Sequence, residues 1–377
     1  MVRSTVAHID LAAIEANYRA ITAFLAAESP SPPSVIAVVK ANAYGHGAGP
    51  VALALERAGA AMLACADIEE AIALRAAGVR AEILVFGALS VSDLGGLFEH
   101  RLVPTISTPT AARAVEAEAA RRGTRIPFHL KIDTGMHRLG FRHDNLARTI
   151  LGLLASPHLR LDAVYTHFAT AESAEHPLMD QQRAGFDEAL AALAAIGVPR
   201  VRRHAANSAA MLRDSRVWFD AVRPGLLLYG VAPPPLATTV PLRPAMRLVS
   251  RVVATKGLRP GESVGYGARY AADSARRIAV VPAGYADGLD LRLAGRGHVL
   301  VGGRRAPIVG AVSMDMITID VTDVPCAPGE EVVILGRQGD ETIDVREMAS
   351  AIGTIPWEVL CRVGTRIERI YNPAEAS

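Results

Sequence analysis

An α/β architecture is predicted, an N-terminal (β/α)8 TIM barrel followed by a mainly β C-terminal domain. Two patterns in the 377 residues predict it. Apolar, β-rich runs alternate with helix-like stretches through the first two thirds of the chain, and eight such units imply a parallel sheet closed into a barrel. After Pro233-Pro234-Pro235 the period changes, and short strands are then divided by Gly, Pro and Asp turns. The expected domains are residues 1–236 and 237–377.

The elements follow in order. Leu11–Ala27 is alanine-rich with apolar residues at helical spacing, and it stops before Pro30-Ser31-Pro32-Pro33, which predicts a helix and a loop. Val35-Ile36-Ala37-Val38-Val39 reads as a buried strand that ends on Lys40. A glycine-bearing turn leads to a helix from about Pro50 to Ala58. The further strands expected are Met62–Ala64, Ile83–Phe86, Leu102–Ile106, Pro127–Ile132, Leu161–Tyr165, Val201–His204 and Asp220–Val222. The helices between them are Ile68–Ala77, Val91–Phe98, Pro109–Arg122, Asn145–Leu154, Met179–Ala195 and Asn207–Arg213. Past the prolines, strands are expected at Met246–Thr255, Ile278–Val281, Val299–Val301, Pro307–Val312, Ile317–Val321 and Glu331–Leu335. A single helix is expected there, at Val345–Ile352.

Composition excludes several classes. Half the residues are hydrophobic, yet no run approaches the roughly 18 apolar residues a membrane span needs. The first ten residues lack the apolar core of a signal peptide. Cys65, Cys326 and Cys361 are too scattered for a disulfide framework or a zinc site, which points to the cytoplasm. Net charge is +2 and the basic pairs are dispersed, so no nucleic-acid footprint is present.

The barrel carries its own test, because functional groups belong where its strands end. Lys40 follows the first strand. Lys131 closes another, with Asp133-Thr134-Gly135-Met136-His137-Arg138 after it. His167, then His204 with Asn207-Ser208, then Arg223-Pro224-Gly225 close three more. Lys40 is open to two readings: a lysine that snorkels to the surface, or a Schiff-base lysine tuned by burial. Asn207-Ser208 opens a helix and Gly225 follows a proline, and such turns present N–H groups to anions. A lysine and a phosphate site in one pocket suggest pyridoxal phosphate. His167 and His204 have no third ligand at metal spacing. They either contact the cofactor ring or are ordinary buried polar residues.

The segment Val38-Val39-Lys40-Ala41-Asn42-Ala43-Tyr44-Gly45-His46-Gly47 resembles the cofactor-lysine signature of alanine racemases. The likeness runs through nearly the whole chain. It includes Lys131-Ile132-Asp133-Thr134-Gly135-Met136, His167-Phe168-Ala169, Asn207-Ser208, Val222-Arg223-Pro224-Gly225, Gly265-Tyr266-Gly267-Ala268, Gly284-Tyr285-Ala286-Asp287-Gly288 and Ser313-Met314-Asp315-Met316. The resemblance implies a homodimer with shared active sites that interconverts L- and D-alanine with pyridoxal 5'-phosphate, for peptidoglycan. Lys40 would hold the cofactor and act as base on one face of Cα. Tyr266, from the partner in the family dimer, would act on the other. A phenol needs positive neighbours, or hydrogen bonds to its anion, to serve as a base.

The same resemblance assigns Tyr44, Ser208, Gly225 and Leu226 to the phosphate, with Asn207 beside them. It assigns Arg138 and the Met314 N–H to the substrate carboxylate. His167 would bridge Tyr266 to Arg223, and Arg223 would face the pyridine nitrogen and keep it unprotonated. Lys131, carbamylated in some members, would position Arg138. His204, Tyr285 and Asp315 complete the expected support; the last two read equally as loop residues.

Trp357 departs from the family, where a tyrosine commonly stands at the entrance. Its indole offers no hydroxyl acceptor, so a broader or serine-preferring racemase of the same fold is an alternative. A barrel-type decarboxylase is disfavoured by Arg223 and by Gly265-Tyr266-Gly267, and a non-catalytic cofactor-binding barrel by the second domain.

Overall fold

The computed structural model describes residues 4–87, 89 and 93–372. The first strand, β1 (Val6–Asp10), leads into a helix, Leu11–Glu28, whose first turn is capped by the Asp10 carboxylate accepting from the Ala13 N–H at 2.9 Å. Then come β2 (Ser34–Val38), β3 (Met62–Cys65), β4 (Glu82–Val85), β5 (Val103–Ile106) and β6 (Ile126–Asp133). They are followed by a short β7 (Phe141–Arg142), β8 (Leu159–Tyr165), β9 (Arg202–Asn207) and β10 (Ala221–Arg223).

Strands β2 to β6 and β8 to β10 pair in parallel around a closed ring, which β5–β6 completes on one side and β2–β10 on another. All eight strands expected from the alternation are present, and β7 is an appendage on β6. A parallel sheet buried on both faces selects for continuous apolar runs, which is why these strands are legible.

The second sheet has ten strands. Its main path runs Ala254–Leu258, Arg276–Val281, Ile317–Asp320, Arg304–Val309, His298–Val301, Glu331–Gln338, Met246–Arg251, β1 and Glu368–Asn372. Thus β1 lies outside the barrel: it pairs antiparallel with Met246–Arg251 and parallel with Glu368–Asn372.

Four local expectations are corrected. Met246–Thr255 is two strands, because the Val252 N–H bonds to Glu330 and the Val253 N–H to Val280, so the chain changes partner there. Asn145–Leu154 breaks at Ile150 into two single-turn helices. A second helix in the β region, Pro356–Cys361, spans only six residues and shows no readable period. In Val91–Phe98, residues 91 and 92 lie outside the described residues, and the helix described there is Gly95–Glu99.

The barrel's interior is not wholly apolar. Thr105, His129, Lys131, Tyr165, Thr166, His204 and Arg223 are all buried, and most of them stand at or below the pole where the strands end.

Candidate active site

Lys40 stands two residues beyond β2, and its side chain opens into a cavity of about 330 Å³. Around that cavity stand Tyr44, Lys131, Arg138, His167, Asn207, Ser208, Arg223, Gly225, Leu226 and Trp357. These residues come from the ends of β2, β6, β8, β9 and β10 and the turns after them, plus one helix of the β region. The sequence reading placed its barrel candidates at this pole, and the structure brings them into one space except His204, which lies buried beneath Arg223 and does not line the cavity.

The turn after Lys40 is the most strained backbone nearby. Ala41, Asn42, Ala43 and Tyr44 all adopt φ between 52° and 53°, a left-handed helical turn built without glycine. Each such L-residue costs roughly 1–2 kcal/mol, so other contacts must hold it. Glu70 supplies two: Oε1 accepts from the Ala41 N–H at 2.7 Å and Oε2 from the Ala66 N–H at 2.8 Å. Asn42 Oδ1 accepts from the Ala48 N–H at 2.8 Å. At Gly45, φ is +81° and a Cβ would stand 2.2 Å from the Leu360 carbonyl oxygen, so the turn is pressed onto Pro356–Cys361. Glu70→Ala is expected to lower stability by about 1–3 kcal/mol, the cost of leaving two donors unmet, read from the urea midpoint. A change under about 0.3 kcal/mol would mean that Glu70 does not hold the turn.

Four cations, Lys40, Lys131, Arg138 and Arg223, line the cavity, against one lining carboxylate, Glu172. Desolvation, and then the Arg138 charge, push the Lys40 amine below its ordinary range. Desolvation and the Arg138 and Arg223 charges bring Lys131 down to about 8. Such a cavity favours an anionic ligand and leaves its lysines readily deprotonated.

Arg223 is buried, and desolvation brings its guanidinium down to about 10, still protonated at neutral pH. Its Nη1 donates to His204 Nδ1 at 2.8 Å; its Nη2 donates to the Thr166 and Ala205 carbonyls, both at 2.8 Å, and to His167 Nδ1 at 3.2 Å. The Tyr165 ring faces it, with the guanidinium carbon 5.1 Å from the ring centre. Burial and the Arg223 charge hold both His167 and His204 well below the usual imidazole range, so both rings are neutral.

Arg138 is carried on a loop organised by one carboxylate. Asp133 Oδ1 accepts from the N–H groups of Gly135, Met136 and His137 at 3.0–3.1 Å. On the phosphate side expected from the sequence, the Gly225 N–H donates to Ser208 Oγ at 2.9 Å. A Cβ at Gly225 would stand 2.3 Å from the Tyr44 hydroxyl, so no larger residue fits. Asn207 caps the next helix by accepting from the Ala210 N–H at 2.9 Å, which fixes Ser208 at the cavity wall.

Tyr266, Tyr285, Met314 and Asp315 do not line this cavity. Tyr266 is 78% exposed on a turn whose Gly265 and Gly267 have φ of +72° and +71°. Tyr285 and Met314 are joined by backbone bonds, Tyr285 N–H to Ser313 O at 3.0 Å and Ala286 N–H to Met314 O at 3.1 Å. Asp315 pairs with Arg366 at 2.6 Å. All four are exposed on the β region.

Sequence reasoning passed over Glu70, Tyr165 and His129. For His129 a signal existed: it lies two residues before Lys131 on one strand, and that spacing puts both side chains on the same face. Glu70 had none, because its two acceptor bonds depend on a helix cap in the next βα unit.

Known proteins resemble this chain along nearly its whole length. A family model described as alanine racemase, N-terminal domain, matches residues 9–233, and one described as alanine racemase, C-terminal domain, matches 245–371. The alanine racemase of Geobacillus kaustophilus is 43% identical over 374 residues, 98% of this chain and 94% of that protein. The crystal structure of alanine racemase from D-cycloserine producing Streptomyces lavendulae superposes with a TM-score of 0.94 at 36% identity, covering 99% of this chain and 98% of that one. The alanine racemase from Bartonella henselae with covalently bound pyridoxal phosphate has a TM-score of 0.86 at 30% identity, covering 98% and 99%.

Proposed function

The chain belongs to the alanine racemase family and interconverts L- and D-alanine, and we propose that it does so with pyridoxal 5'-phosphate held at Lys40 and a second base, Tyr266, from another copy of the chain. The observation that supports this most is a deprotonation-prone lysine facing a cationic cavity whose floor is a buried arginine held by four acceptors. The cavity fits the cofactor: four cations suit a phosphate ester, and the cradle at Gly225 leaves room for backbone N–H groups only. When bound, the cofactor supplies a carbonyl carbon for amine attachment and a ring that draws electron density from Cα.

Each residue then has a role. Lys40 would hold the cofactor and, with alanine bound, would hold or move the proton on one face of Cα. Tyr44, Ser208, Gly225 and Leu226, with Asn207 behind them, hold the phosphate. Arg138, positioned by the Asp133 loop, pairs with the substrate carboxylate, and the Met314 N–H reaches it from the second copy. Arg223 would stand against the cofactor ring and, as a guanidinium, could give it no proton. His167, held by Arg223, presents its other nitrogen towards Tyr266, while Tyr285 and Asp315 shape the tyrosine's surroundings. The exposure of Tyr266 and Met314 supports a homodimer in which each cavity is completed by the other subunit. The same reading places the enzyme in the bacterial cytoplasm, supplying D-alanine for peptidoglycan.

Mixing inactive subunits tests the shared site. In a random mixture of Lys40→Ala and Tyr266→Phe chains, half the dimers are mixed and one of their two sites is intact, so about a quarter of wild-type D-alanine formation returns. Chiral chromatography of the product reads this. No recovery in a mixture shown to exchange subunits would sink the shared site.

Lys131 has its own expectation. An amine near 8 is partly neutral at physiological pH and open to carbon dioxide, and its carbamate would replace a cation beside Arg138 with an anion. In ¹³C-bicarbonate a carbamate carbonyl signal is expected, and Lys131→Met should erase it. Its persistence in that variant would place the carbamate elsewhere.

A further inference from the structure

The hydrogen-bonded column below Arg223 runs deeper into the barrel than the active site requires. His204 Nε2 lies 3.0 Å from His129 Nδ1, and His129 Nε2 lies 3.9 Å from Asp162 Oδ2. Asp162 is in turn paired with Arg202, and with Arg160 at 3.2 Å. His129, His204 and Arg223 are each 1–3% exposed, and the Tyr165 ring stacks on His204 at 4.6 Å and 12°.

The protons in this column can be placed from one end. An arginine has only donors, so His204 Nδ1 must accept. A neutral imidazole has one donor, so the His204 proton is on Nε2 and is given to His129 Nδ1. The His129 proton is therefore on Nε2, the nitrogen nearest the Asp162 carboxylate and without a hydrogen-bond partner among the described residues. Every bond then points away from the cavity, towards a carboxylate on the far side of the barrel interior.

We propose that His129 is a positioning residue for racemisation: by accepting from the His204 Nε2–H it anchors that ring in the orientation in which Nδ1 holds the Arg223 guanidinium at the cavity floor. This rests on the reading that Arg223 faces the cofactor ring. Without the His129 acceptor, a buried His204 Nε2–H is unmet, and the ring gains by turning towards another acceptor, which carries Nδ1 away from Arg223. The guanidinium would then lose one of the four acceptors that orient it. His129 itself touches neither substrate nor cofactor, since it does not line the cavity.

The tautomer is read by long-range ¹H–¹⁵N spectra of histidine-labelled, cofactor-free protein, with His204 assigned by its loss in His204→Gln. Wild type is expected to show His204 protonated at Nε2 alone, with Nδ1 shifted by the hydrogen bond it accepts from Arg223. His129→Phe should lose that shift. His129→Asn should keep it, because its amide oxygen can stand near the position of Nδ1. In the cofactor-loaded enzymes, kcat should fall about tenfold in His129→Phe with KM for alanine within about twofold, and recover in His129→Asn. Protonation of His204 at Nδ1 in wild type, or an unaltered Nδ1 shift in His129→Phe, overturns the anchor. If His129→Phe fails to fold, His129→Ala, which removes the acceptor without adding bulk, is read in its place. A lost shift with unchanged kcat overturns the positioning role instead, and locates the fault in the reading of Arg223 against the cofactor.

Discussion

Tyr266→Phe is expected to lower D-alanine formation from L-alanine by about 10²–10⁴-fold, the usual range for loss of a positioned acid or base. Lys40-dependent exchange at Cα should survive. The asymmetry follows from the proposed roles: Lys40 would reach Cα from one wall of the cavity, and inversion needs a proton delivered from the opposite face. Phenylalanine keeps the ring and removes only the hydroxyl, so packing against the proposed second copy would be retained. Incubation of each alanine enantiomer in D₂O separates the two events, because deuterium enters the starting enantiomer by return to the same face and its mirror image by crossing. The expected result is that the enantiomer whose Cα hydrogen faces Lys40 still gains deuterium while inversion from either side nearly disappears. Loss of exchange in both enantiomers would mean that Tyr266 shapes the site as a whole, and an unaffected rate of inversion would assign the second face to another group.

Arg223→Glu should have the next largest effect, and of a different kind. Racemisation should fall about 10²-fold, since a charge-assisted buried contact is worth up to about 3 kcal/mol. The larger consequence is chemical. A carboxyl group in this position can share a proton with a ring nitrogen, whereas a guanidinium still protonated at neutral pH cannot. With the ring protonated it becomes a stronger electron sink, so negative charge at Cα lives longer and is more often reprotonated on the cofactor side. Pyridoxamine phosphate per turnover, measured by chromatography of released cofactor, should rise by at least about tenfold. If racemisation falls with no rise in pyridoxamine phosphate, Arg223 acts through cofactor binding alone. The variant also faces two histidines that now accept from Arg223, His167 and His204, and both rings can turn or change tautomer to donate to Glu. The substitution therefore does not leave a bare buried charge.

Much of the barrel was legible because its determinants are local. Each β-run is apolar along its whole length and each helix has a periodic face, so eight alternations can be counted without knowing what touches what. The placement of Lys40, Lys131, His167, Ser208 and Arg223 at one pole follows from that count alone, since parallel strands share their direction. The motif around Lys40 adds chemical identity to the position. The β region was less legible: its strands are short, and Met246–Thr255 reads as one strand until its two halves are seen on different partners.

What the sequence determined by itself was therefore the alternation, the pole at which the polar residues gather, and the residue types available there. Tertiary structure decided the rest. It drew β1 into the second sheet, beside a strand some 240 residues away, a pairing no local pattern encodes. It also twisted Ala41–Tyr44 into a left-handed turn that, Asn42 apart, its residues disfavour, and there Glu70 and Asn42 satisfy N–H groups the turn would otherwise strand. It left Tyr266 outside its own chain's cavity. And it stacked Arg223, His204 and His129 into one directional column. Hydrogen-bond direction depends on which donor meets which acceptor across strands, and that is a property of register and distance rather than of composition.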